Sequence, residues 1–395
     1  MRVLHVITRL IIGGAQENTI ASVRGLRQRY GAETRLLCGP DTGAEGSLQH
    51  ELEGEPGVLG IVPALTRPIC PWKDTIALCR LIREFRHWQP DIVHTHSGKA
   101  GFLGRLAAAW AKVPVIVHTI HGPSFGSFQG ALANRLYLAA ERIAGRLTTH
   151  FVCVADAMAK QYIAAGIGTP NRYTTIRSGF DLAPYLNARN DPALRQKFGF
   201  GTDDFVVGKI ARLFKLKGHD DLFAIAPGLI AKCPRMKFLL VGNGPWQERF
   251  RRRATELGIE KHFVFAGLVQ PSDVPQLVGI MDAVVHLSRR EGLPRALPQA
   301  LAAGKPVVAY DCDGAGEVCI QDQTGFLVRP GDLTEFANRL LQLANDPILR
   351  DRLGTRGRAL VKEQFALETM IDRLYALYQR LLAEQNRAQQ NSFNT

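Results

Sequence analysis

The feature that most limits the possible folds of this chain is an alternation of short apolar runs with longer amphipathic segments, which occurs twice. The first half contains the runs RVLHVIT, DIVHTH, VPVIVHTIHG and FVCVAD, and the second contains FVVGKIAR, KFLLVGNG, HFVFAG, DAVVHLS and KPVVAYD. Buried parallel strands are rich in β-branched residues and are joined by helices, so the pattern predicts an α/β fold. The turn-rich stretch RSGFDLAPYLNARNDPA separates the two series. We therefore predict two Rossmann-like domains with a boundary near residues 181–195.

Length and composition agree with two domains. A chain of 395 residues with 46% apolar content is too long for one ordinary core, since domains usually hold about 100–200 residues. No apolar run reaches the ~18 residues that a membrane-spanning helix requires. We read MRVLHVITRL as a buried first strand and not as a secretion signal, because Arg9 closes its apolar stretch. The seven cysteines are scattered without metal-site spacing, which predicts reduced thiols and a cytoplasmic location.

The charge balance favours anionic partners. The formal net charge is +13, and residues 1–180 carry 20 Lys and Arg against 12 Asp and Glu, while the remaining residues carry 29 against 24. Phosphate-bearing ligands, anionic membranes and nucleic acids are all attracted by such an excess. The sequence contains no RNA-binding aromatic-basic run, zinc finger or long basic arm, so we expect no nucleic-acid partner.

Two segments that follow predicted strands contain candidate ligand-binding residues, because open parallel sheets bind ligands at the carboxyl ends of their strands. In TRLIIGGAQENTI, Gly13 and Gly14 open a helix and allow a phosphate or sugar to approach the backbone, although a simple tight turn explains them equally well. In ARLFKLKGHDDL, Arg212, Lys215 and Lys217 are suited to hold a diphosphate. The alternative for each of these three is a solvated surface cation.

The stretch EGLPRALPQALAAGKPVV is the most specific indication of a ligand site in the sequence. Glu291 follows the predicted strand DAVVHLS, and a helix is predicted to begin at Pro294 and to end at Gly304. The backbone N–H groups near residues 293–297 then form an anion site at the start of this helix. The alternative for Glu291 is an ordinary acid in a first helical turn.

These motifs together resemble a known family. The segments GGAQE, DIVHTHSGKAGFLGRLAA, HTIHG, ARLFKLKGH, LLVGNGP, VFAGL, EGLPRALPQALAAGKPVVA and GFLVRPGD occur in the order and approximate spacing of bacterial family 4 glycosyltransferases of the GT-B fold. The resemblance covers nearly the whole chain. It implies an N-terminal acceptor-side domain of residues 1–180, a donor-side domain of residues 181–367, and a C-terminal helix and tail, residues 368–395, that cross back to the N-terminal domain.

The resemblance also implies a reaction. It is the retaining transfer of a sugar from a nucleoside-diphosphate sugar to an acceptor glycan or lipid-linked saccharide, without metal or cofactor. By similarity, His121 lies beside the donor sugar, Gly14 beside the diphosphate and Glu291 against the sugar hydroxyls, while Arg212 and Lys217 stabilise the departing diphosphate. His118 is interpreted as structural. The Asp311–Asp313 segment, DCD, matches the family's loop after the penultimate strand and is interpreted as a turn and not as a magnesium-binding pair. The predicted donor-binding set is Gly13, Gly14, Gly242, Leu293, Pro294, Arg295 and Gln299.

Position 299 departs from the family pattern, in which a second Glu commonly contacts the ribose of the nucleotide. Gln299 keeps one carbonyl acceptor but loses charge-assisted hydrogen bonds, which are roughly twice as strong as neutral ones. This change places nucleotide affinity in doubt more than chemistry. Two alternatives therefore stay open: a nucleotide-sugar-binding pseudoenzyme, and an enzyme of the same fold with another reaction, such as a sugar-nucleotide epimerase.

A last expectation concerns membranes. IALCRLIREFRHW is an amphipathic helix with Arg80, Arg83 and His87 on one face and apolar side chains around the other. A helix that covers a Rossmann sheet has the same pattern, because packing alone requires it. With the basic first half, the segment predicts weak, salt-sensitive association with anionic lipid at the inner face of the membrane.

Overall fold

The computed structural model describes residues 1–41, 45–96, 98–126 and 128–393, with side chains up to residue 390. The chain divides into two compact units. The first comprises Met1–Phe180 together with the segment from Leu367 to the end of the chain, and the second comprises Asp181–Ala366. Each unit contains one parallel sheet with helices on it, so the prediction of two Rossmann-like domains is confirmed.

The described residues of the first unit form a seven-stranded parallel sheet in the order β3-β2-β1-β4-β5-β6-β7. The strands are β1 (Arg2–Ile7), β2 (Glu33–Cys38), β3 (Leu59–Ile61), β4 (Ile92–His96), β5 (Val115–Ile120), β6 (His150–Cys153) and β7 (Tyr173–Thr175). The helices before residue 181 are α1 (Gly14–Tyr30), α2 (Pro71–Trp88), α3 (Gly98–Trp110), α4 (Ala131–Leu147) and α5 (Asp156–Ala164). The strand order reverses between β1 and β4, where open sheets of this type place their ligands.

The second unit has a six-stranded parallel sheet in the order β10-β9-β8-β11-β12-β13. Its helices are α6 (Ala183–Leu186), α7 (Pro192–Lys197), α8 (His219–Lys232), α9 (Gln247–Glu256), α10 (Val274–Gly279), α11 (Ala296–Ala302), α12 (Leu333–Asn345) and α13 (Pro347–Gln364). Its strands are β8 (Phe205–Ile210), β9 (Met236–Val241), β10 (Phe263–Gly267), β11 (Ala283–His286), β12 (Val307–Tyr310) and β13 (Gly325–Val328). The corresponding reversal lies between β8 and β11.

The final helix, α14 (Leu367–Phe393), belongs to the first unit. Its residues Met370, Leu374, Leu377 and Leu381 are buried in one core with Val3 of β1 and other apolar side chains of that unit, which explains their helical spacing. Asp372 accepts hydrogen bonds from Arg29 and Tyr30 on α1. Polar contacts and apolar packing therefore both hold α14 on the first unit.

Helix α2 uses its apolar face for the core. Leu81 and Phe85 are fully buried, and Leu78, Ile82 and Trp88 pack partly against the same cluster. Most of the face that the sequence pattern offered to a membrane is therefore buried in a core shared with α3 and the strands, as the packing alternative requires, while Ile76 of this face is 45% exposed. No helix in the described part of the chain combines the length and apolar character that crossing a bilayer requires.

Helix α4 is different, because apolar residues lie on its solvent side. Leu132, Leu136 and Ile143 are 72%, 64% and 51% exposed. Their spacing of four and seven places them on one stripe of the helix. The single acidic residue of α4, Glu141, is buried and accepts a hydrogen bond of 2.8 Å from buried Arg105. The stripe is therefore not accompanied by exposed negative charge from this helix.

Candidate functional site

The main polar cluster of the second unit lies at the carboxyl ends of β8 and β11. Lys217, in the loop after β8, forms an ion pair with Glu291, in the loop after β11. His286, the last residue of β11, has its Nε2 3.5 Å from Glu291 Oε1. Burial alone would raise the pKa of Glu291, but Lys217 and His286 outweigh burial and hold that pKa well below its usual value. Glu291 is therefore an ionised, acceptor-only group at neutral pH.

The loop of Glu291 is held by the segment after β12. Asp313 accepts a hydrogen bond of 2.7 Å from the Glu291 backbone N–H, and the Gly314 N–H donates to the carbonyl of Gly292. Asp313 has a φ of 52°, which is uncommon for a residue other than glycine. The DCD segment is not the simple turn expected from the sequence: Cys312 is extended and Asp313 begins a short 3-10 helix, Asp313–Glu317. The Asp313 carboxylate also positions Glu291.

The loop of Lys217 is equally constrained. Leu216 has a φ of 70°, and its carbonyl accepts a hydrogen bond from the Arg289 N–H. Gly218 has a φ of 69°, and a Cβ there would lie 2.0 Å from the carbonyl oxygen of Leu287. Gly218 adopts this conformation without steric cost, whereas a left-handed residue with a side chain, such as Leu216, costs free energy, and such residues concentrate at functional sites. Backbone strain thus adjoins both members of the Lys217–Glu291 pair.

Several buried polar atoms beside this pair have no hydrogen-bond partner among the described residues. They are Lys209 Nζ on β8, both ring nitrogens of His219 at the start of α8, and Ser288 Oγ after β11. Burial and the charge of Lys217 lower the pKa of Lys209 to about 7. Buried polar groups are normally paired, so a cluster of unpaired ones is typical of a ligand site. Its cations favour an anionic ligand.

Arg212 and Gly242 lie at the ends of neighbouring strands. Arg212 follows β8 and is half-buried, with its guanidinium 5.8 Å from the Phe214 ring centre. Gly242 follows β9, and a Cβ there would lie 2.3 Å from the Ala211 carbonyl oxygen. Close backbone packing therefore explains why Gly242 is a glycine. Lys215 is exposed.

The predicted helix after Glu291 begins later than expected. Helix α11 starts at Ala296, not at Pro294, because the Pro294 carbonyl accepts from Leu297 in a tighter turn. Leu293 and Pro294 are buried and Arg295 is half-buried, all three in the loop before the helix. Gln299 is the one polar residue of an otherwise apolar, fully buried helix.

In the first unit, the predicted residues lie after β1 and β5. Gly13 precedes α1 and its carbonyl accepts from Gln16 and Glu17, while Gly14 is the first helical residue. His121 follows β5 directly, is half-buried, and has its Nε2 3.0 Å from His96 Nδ1. His118 is buried and bonded to Thr95, as its structural interpretation requires.

Three buried histidines near His121 have nitrogens within 4.8 Å of one another, which is the one metal-compatible group among the described residues. These are His5, His94 and His96. Both nitrogens of His94 and of His96 already form hydrogen bonds, and the His94 and His96 rings are stacked with centres 4.3 Å apart. Stacked, hydrogen-bonded rings do not aim their lone pairs at one point, so the arrangement favours a hydrogen-bond network over a metal site.

Sequence reasoning missed Lys209, His286, Ser288 and the buried histidines of β1 and β4. One signal was available: each interrupts or ends an apolar run, as in FVVGKIA, DAVVHLS, RVLHVI and DIVHTH. Polar residues in buried strands need a partner or a ligand. The pairing itself could not be predicted, because it depends on side chains distant in sequence.

Lys209 generates a stability prediction. Its folded-state pKa of about 7 lies below its ordinary value of 10.5, so unfolding takes up a proton between these pH values and stability rises with pH there. Replacing Lys209 by Met removes the cost of the buried charge, so K209M should stabilise the protein at pH 6–7 by up to about 4 kcal/mol. The gain should shrink towards pH 10.

Calorimetric melting across this pH range measures the effect. The exposed Lys215→Met variant is the matched control and should change little at any pH. Equal destabilisation by K209M at every pH would show that the lysine charge is satisfied in the folded protein and would contradict the prediction.

Comparison with known proteins agrees with the geometry. Residues 13–179 match the family model described as a glycosyl transferase 4-like domain, and residues 190–360 match that of glycosyl transferases group 1. The chain is 31% identical over 330 residues to the putative glycosyltransferase EpsD of Bacillus subtilis (strain 168), covering 80% of this chain and 84% of that protein.

Two further matches extend the comparison. The chain is 29% identical over 322 residues to the Escherichia coli UDP-Gal:alpha-D-GlcNAc-diphosphoundecaprenol alpha-1,3-galactosyltransferase, covering 80% of this chain and 82% of that protein. The crystal structure of Anabaena HepE in complex with UDP matches with a TM-score of 0.78 at 25% identity, covering 96% of this chain and all of that one. The chain therefore belongs to the family 4 glycosyltransferases of the GT-B fold and is a glycosyltransferase of polysaccharide or glycolipid biosynthesis.

Proposed function

We propose that the chain is a retaining glycosyltransferase that moves a sugar from a nucleoside-diphosphate sugar to an acceptor hydroxyl without a bound metal ion. The observation that carries the proposal is the cationic cluster at the ends of β8 and β11. There Lys217 and Glu291 pair, while the buried Lys209 Nζ has no partner among the described residues. A diphosphate supplies the negative charge and the acceptor oxygens that these groups lack.

The chemistry follows from where charge develops. When the bond between the anomeric carbon and the diphosphate oxygen breaks, the leaving group gains negative charge, and preformed cations stabilise it. In our proposal Arg212 and Lys217 do this, and Glu291 accepts hydrogen bonds from the sugar hydroxyls. The acceptor oxygen bonds to the anomeric carbon, and its proton passes to a phosphate oxygen of the leaving group. No protein base is then required.

The relatives suggest which substrates to test first. The Escherichia coli relative is named for transfer from UDP-galactose to a diphosphoundecaprenol-linked sugar, and the HepE structure contains UDP. We therefore propose a nucleoside-diphosphate sugar, with uridine as the first base to test, and a lipid-linked saccharide as the acceptor. A panel of nucleotide sugars, with donor consumption scored by mass spectrometry, tests the proposal. Binding without consumption would support the pseudoenzyme, and an isomerised donor the epimerase.

Loss of a leaving-group cation should slow turnover. We expect Arg212→Ala or Lys217→Ala to lower kcat on the order of a hundredfold, comparable to losing one preformed donor to an oxyanion. Lys215→Ala, in the same loop but exposed, is the matched control and should retain activity. Steady-state kinetics with the best donor of the panel measures this. Unchanged kcat in both single variants would remove the cations from the mechanism.

Restoring a carboxylate at position 299 should act on binding. If Gln299 meets the ribose, remote from the breaking bond, Gln299→Glu should lower the KM of the donor and the Kd of the nucleoside diphosphate together, with kcat nearly unchanged. The expected gain is about 1 kcal/mol, the difference between a neutral and a charged hydrogen bond. Titration calorimetry and kinetics beside the parent measure it. A large rise in kcat without tighter binding would place residue 299 at the chemical centre instead.

We also propose that the protein binds the inner membrane surface peripherally through α4. The exposed side of α4 carries Leu136 and Ile143 beside the exposed Arg135, Arg142 and Arg146. An apolar stripe flanked by arginines suits a bilayer with anionic headgroups, and each surface cation contributes about 1 kcal/mol. This location brings the enzyme to a lipid-linked acceptor.

Vesicle sedimentation tests the role of α4. The double variant L136S/I143S should bind anionic vesicles at least tenfold more weakly, since burying two aliphatic side chains contributes about 1.5–3 kcal/mol each at full burial. Ile348→Ser, which changes an 81% exposed residue of the other unit, should bind like the parent. High salt should weaken binding of the parent. Absence of parent binding at low salt contradicts the membrane proposal.

A further inference from the structure

A row of three histidines leads from the core of the first unit to the predicted sugar-contacting residue. His5 Nδ1 lies 2.9 Å from His96 Nε2, and His96 Nδ1 lies 3.0 Å from His121 Nε2. The ring centres are 5.2 and 5.3 Å apart, and the ring planes are inclined by 15° and 30°. These imidazoles therefore form a continuous hydrogen-bonded chain from a fully buried ring to a half-buried one.

The neighbouring histidines are not members of this chain. His94 bonds to Thr119 through Nε2 and to Tyr378 through Nδ1, and His118 bonds to Thr95. Each of these two rings has its own partners from other strands or from α14. The two nitrogen-to-nitrogen bonds thus connect His5, His96 and His121 in series.

Because His96 is neutral, both hydrogen bonds of the chain must be donated in the same direction along it. Burial lowers the pKa of His5 to about 3 and holds the pKa of His96 well below its usual value, so both rings are neutral at pH 7. A neutral imidazole has one N–H and one lone pair. His96 must therefore donate at one of its two bonds and accept at the other.

The buried end of the chain selects the direction. His5 Nε2 is buried and has no hydrogen-bond partner among the described residues. If His121 donated to His96 and His96 donated to His5, the proton of neutral His5 would lie on Nε2. That would leave a buried N–H without an acceptor, which is rare. If His5 donates to His96 and His96 donates to His121, only the lone pair of His5 Nε2 is left without a partner. His5 Nδ1–H therefore donates to His96 Nε2, and His96 Nδ1–H donates to His121 Nε2.

We propose that His5 and His96 are positioning residues that fix His121 as the neutral tautomer protonated on Nδ1. The lone pair of His121 Nε2 is occupied by the His96 proton, so the ring has an N–H to donate and no lone pair with which to take a proton. The functional consequence rests on the proposed function: His121 acts towards the sugar donor as a hydrogen-bond donor and not as a general base. The proton of the acceptor then goes to the leaving phosphate.

Nuclear magnetic resonance of the full-length protein tests the tautomer directly. Long-range proton–nitrogen spectra of protein labelled with 15N-histidine distinguish a protonated from a bare ring nitrogen at pH 7. We expect His121 to show a protonated Nδ1 and a bare Nε2. His96→Phe removes the donor and should give His121 a mixed or reversed tautomer. His96→Asn keeps an amide N–H near the position of Nδ1 and should preserve the parent state.

A control variant and a kinetic measurement distinguish a positioning role of His96 from a general loss of structure in the variant. His118→Gln changes a buried histidine of the same sheet outside the chain and should leave the His121 tautomer unaltered. With an active donor, H96F should lower kcat by roughly tenfold to a hundredfold, the usual effect of losing an orienting partner, and H96N should largely restore it.

A parent His121 that is protonated on Nε2, or on both nitrogens, overturns the proposal, as does an unchanged tautomer in folded H96F. If H96F does not fold by circular dichroism, the parent and H96N spectra decide. If no donor is consumed by the parent, the proposed function fails, but the tautomer is still read from the spectra.

Discussion

Buried polar groups at the carboxyl ends of the parallel strands are the constraint on which the rest of this structure depends, because each needs a partner to offset its desolvation. In the first unit the protein supplies most of these partners, since His5 and His96 bond in series and His94 bonds to Thr119. In the second unit Lys217 and Glu291 pair, but Lys209 Nζ has no partner among the described residues. In the first unit most of the buried polar groups are therefore paired within the protein. In the second unit a cationic group lacks a partner among the described residues, so this unit gains most from an anionic ligand.

The hydrogen-bond network of the first unit depends on helix α14. Tyr378 of α14 bonds to His94, and Asp372 bonds to Arg29 and Tyr30 of α1. The first unit is therefore discontinuous in sequence, since the whole second unit lies between β7 and α14. During synthesis the histidines of β1 and β4 are made long before Tyr378, so the unit cannot satisfy His94 through this bond until Tyr378 has been synthesised. Helix α14 is in this sense part of the site-bearing scaffold and not an appended tail.

The sequence allowed the architecture to be predicted where local pattern and tertiary environment agree. Long β-branched runs such as DAVVHLS became buried strands because parallel strands are covered on both faces. The three-residue strands Leu59–Ile61 and Tyr173–Thr175 were not predicted, since they lie at sheet edges and have little pattern of their own. For α2, amphipathicity could not tell a core from a membrane, and only the structure shows Phe85 in the core. The pairing of Lys217 with Glu291 crosses 74 residues, and no local signal encodes it.

If Gln299 contacts the ribose, as proposed, binding and stability compete at this position. It is the only polar side chain of α11, whose residues are all buried, and it is itself 9% exposed. A carboxylate in such a place loses hydration in the ligand-free protein, and it recovers that loss only when a ligand donates hydrogen bonds to it. A neutral amide avoids the cost but forgoes the charge-assisted bonds. In the proposed role, the residue at position 299 therefore sets the balance between the stability of the ligand-free protein and its affinity for the nucleotide, independently of the proposed leaving-group cations Arg212 and Lys217.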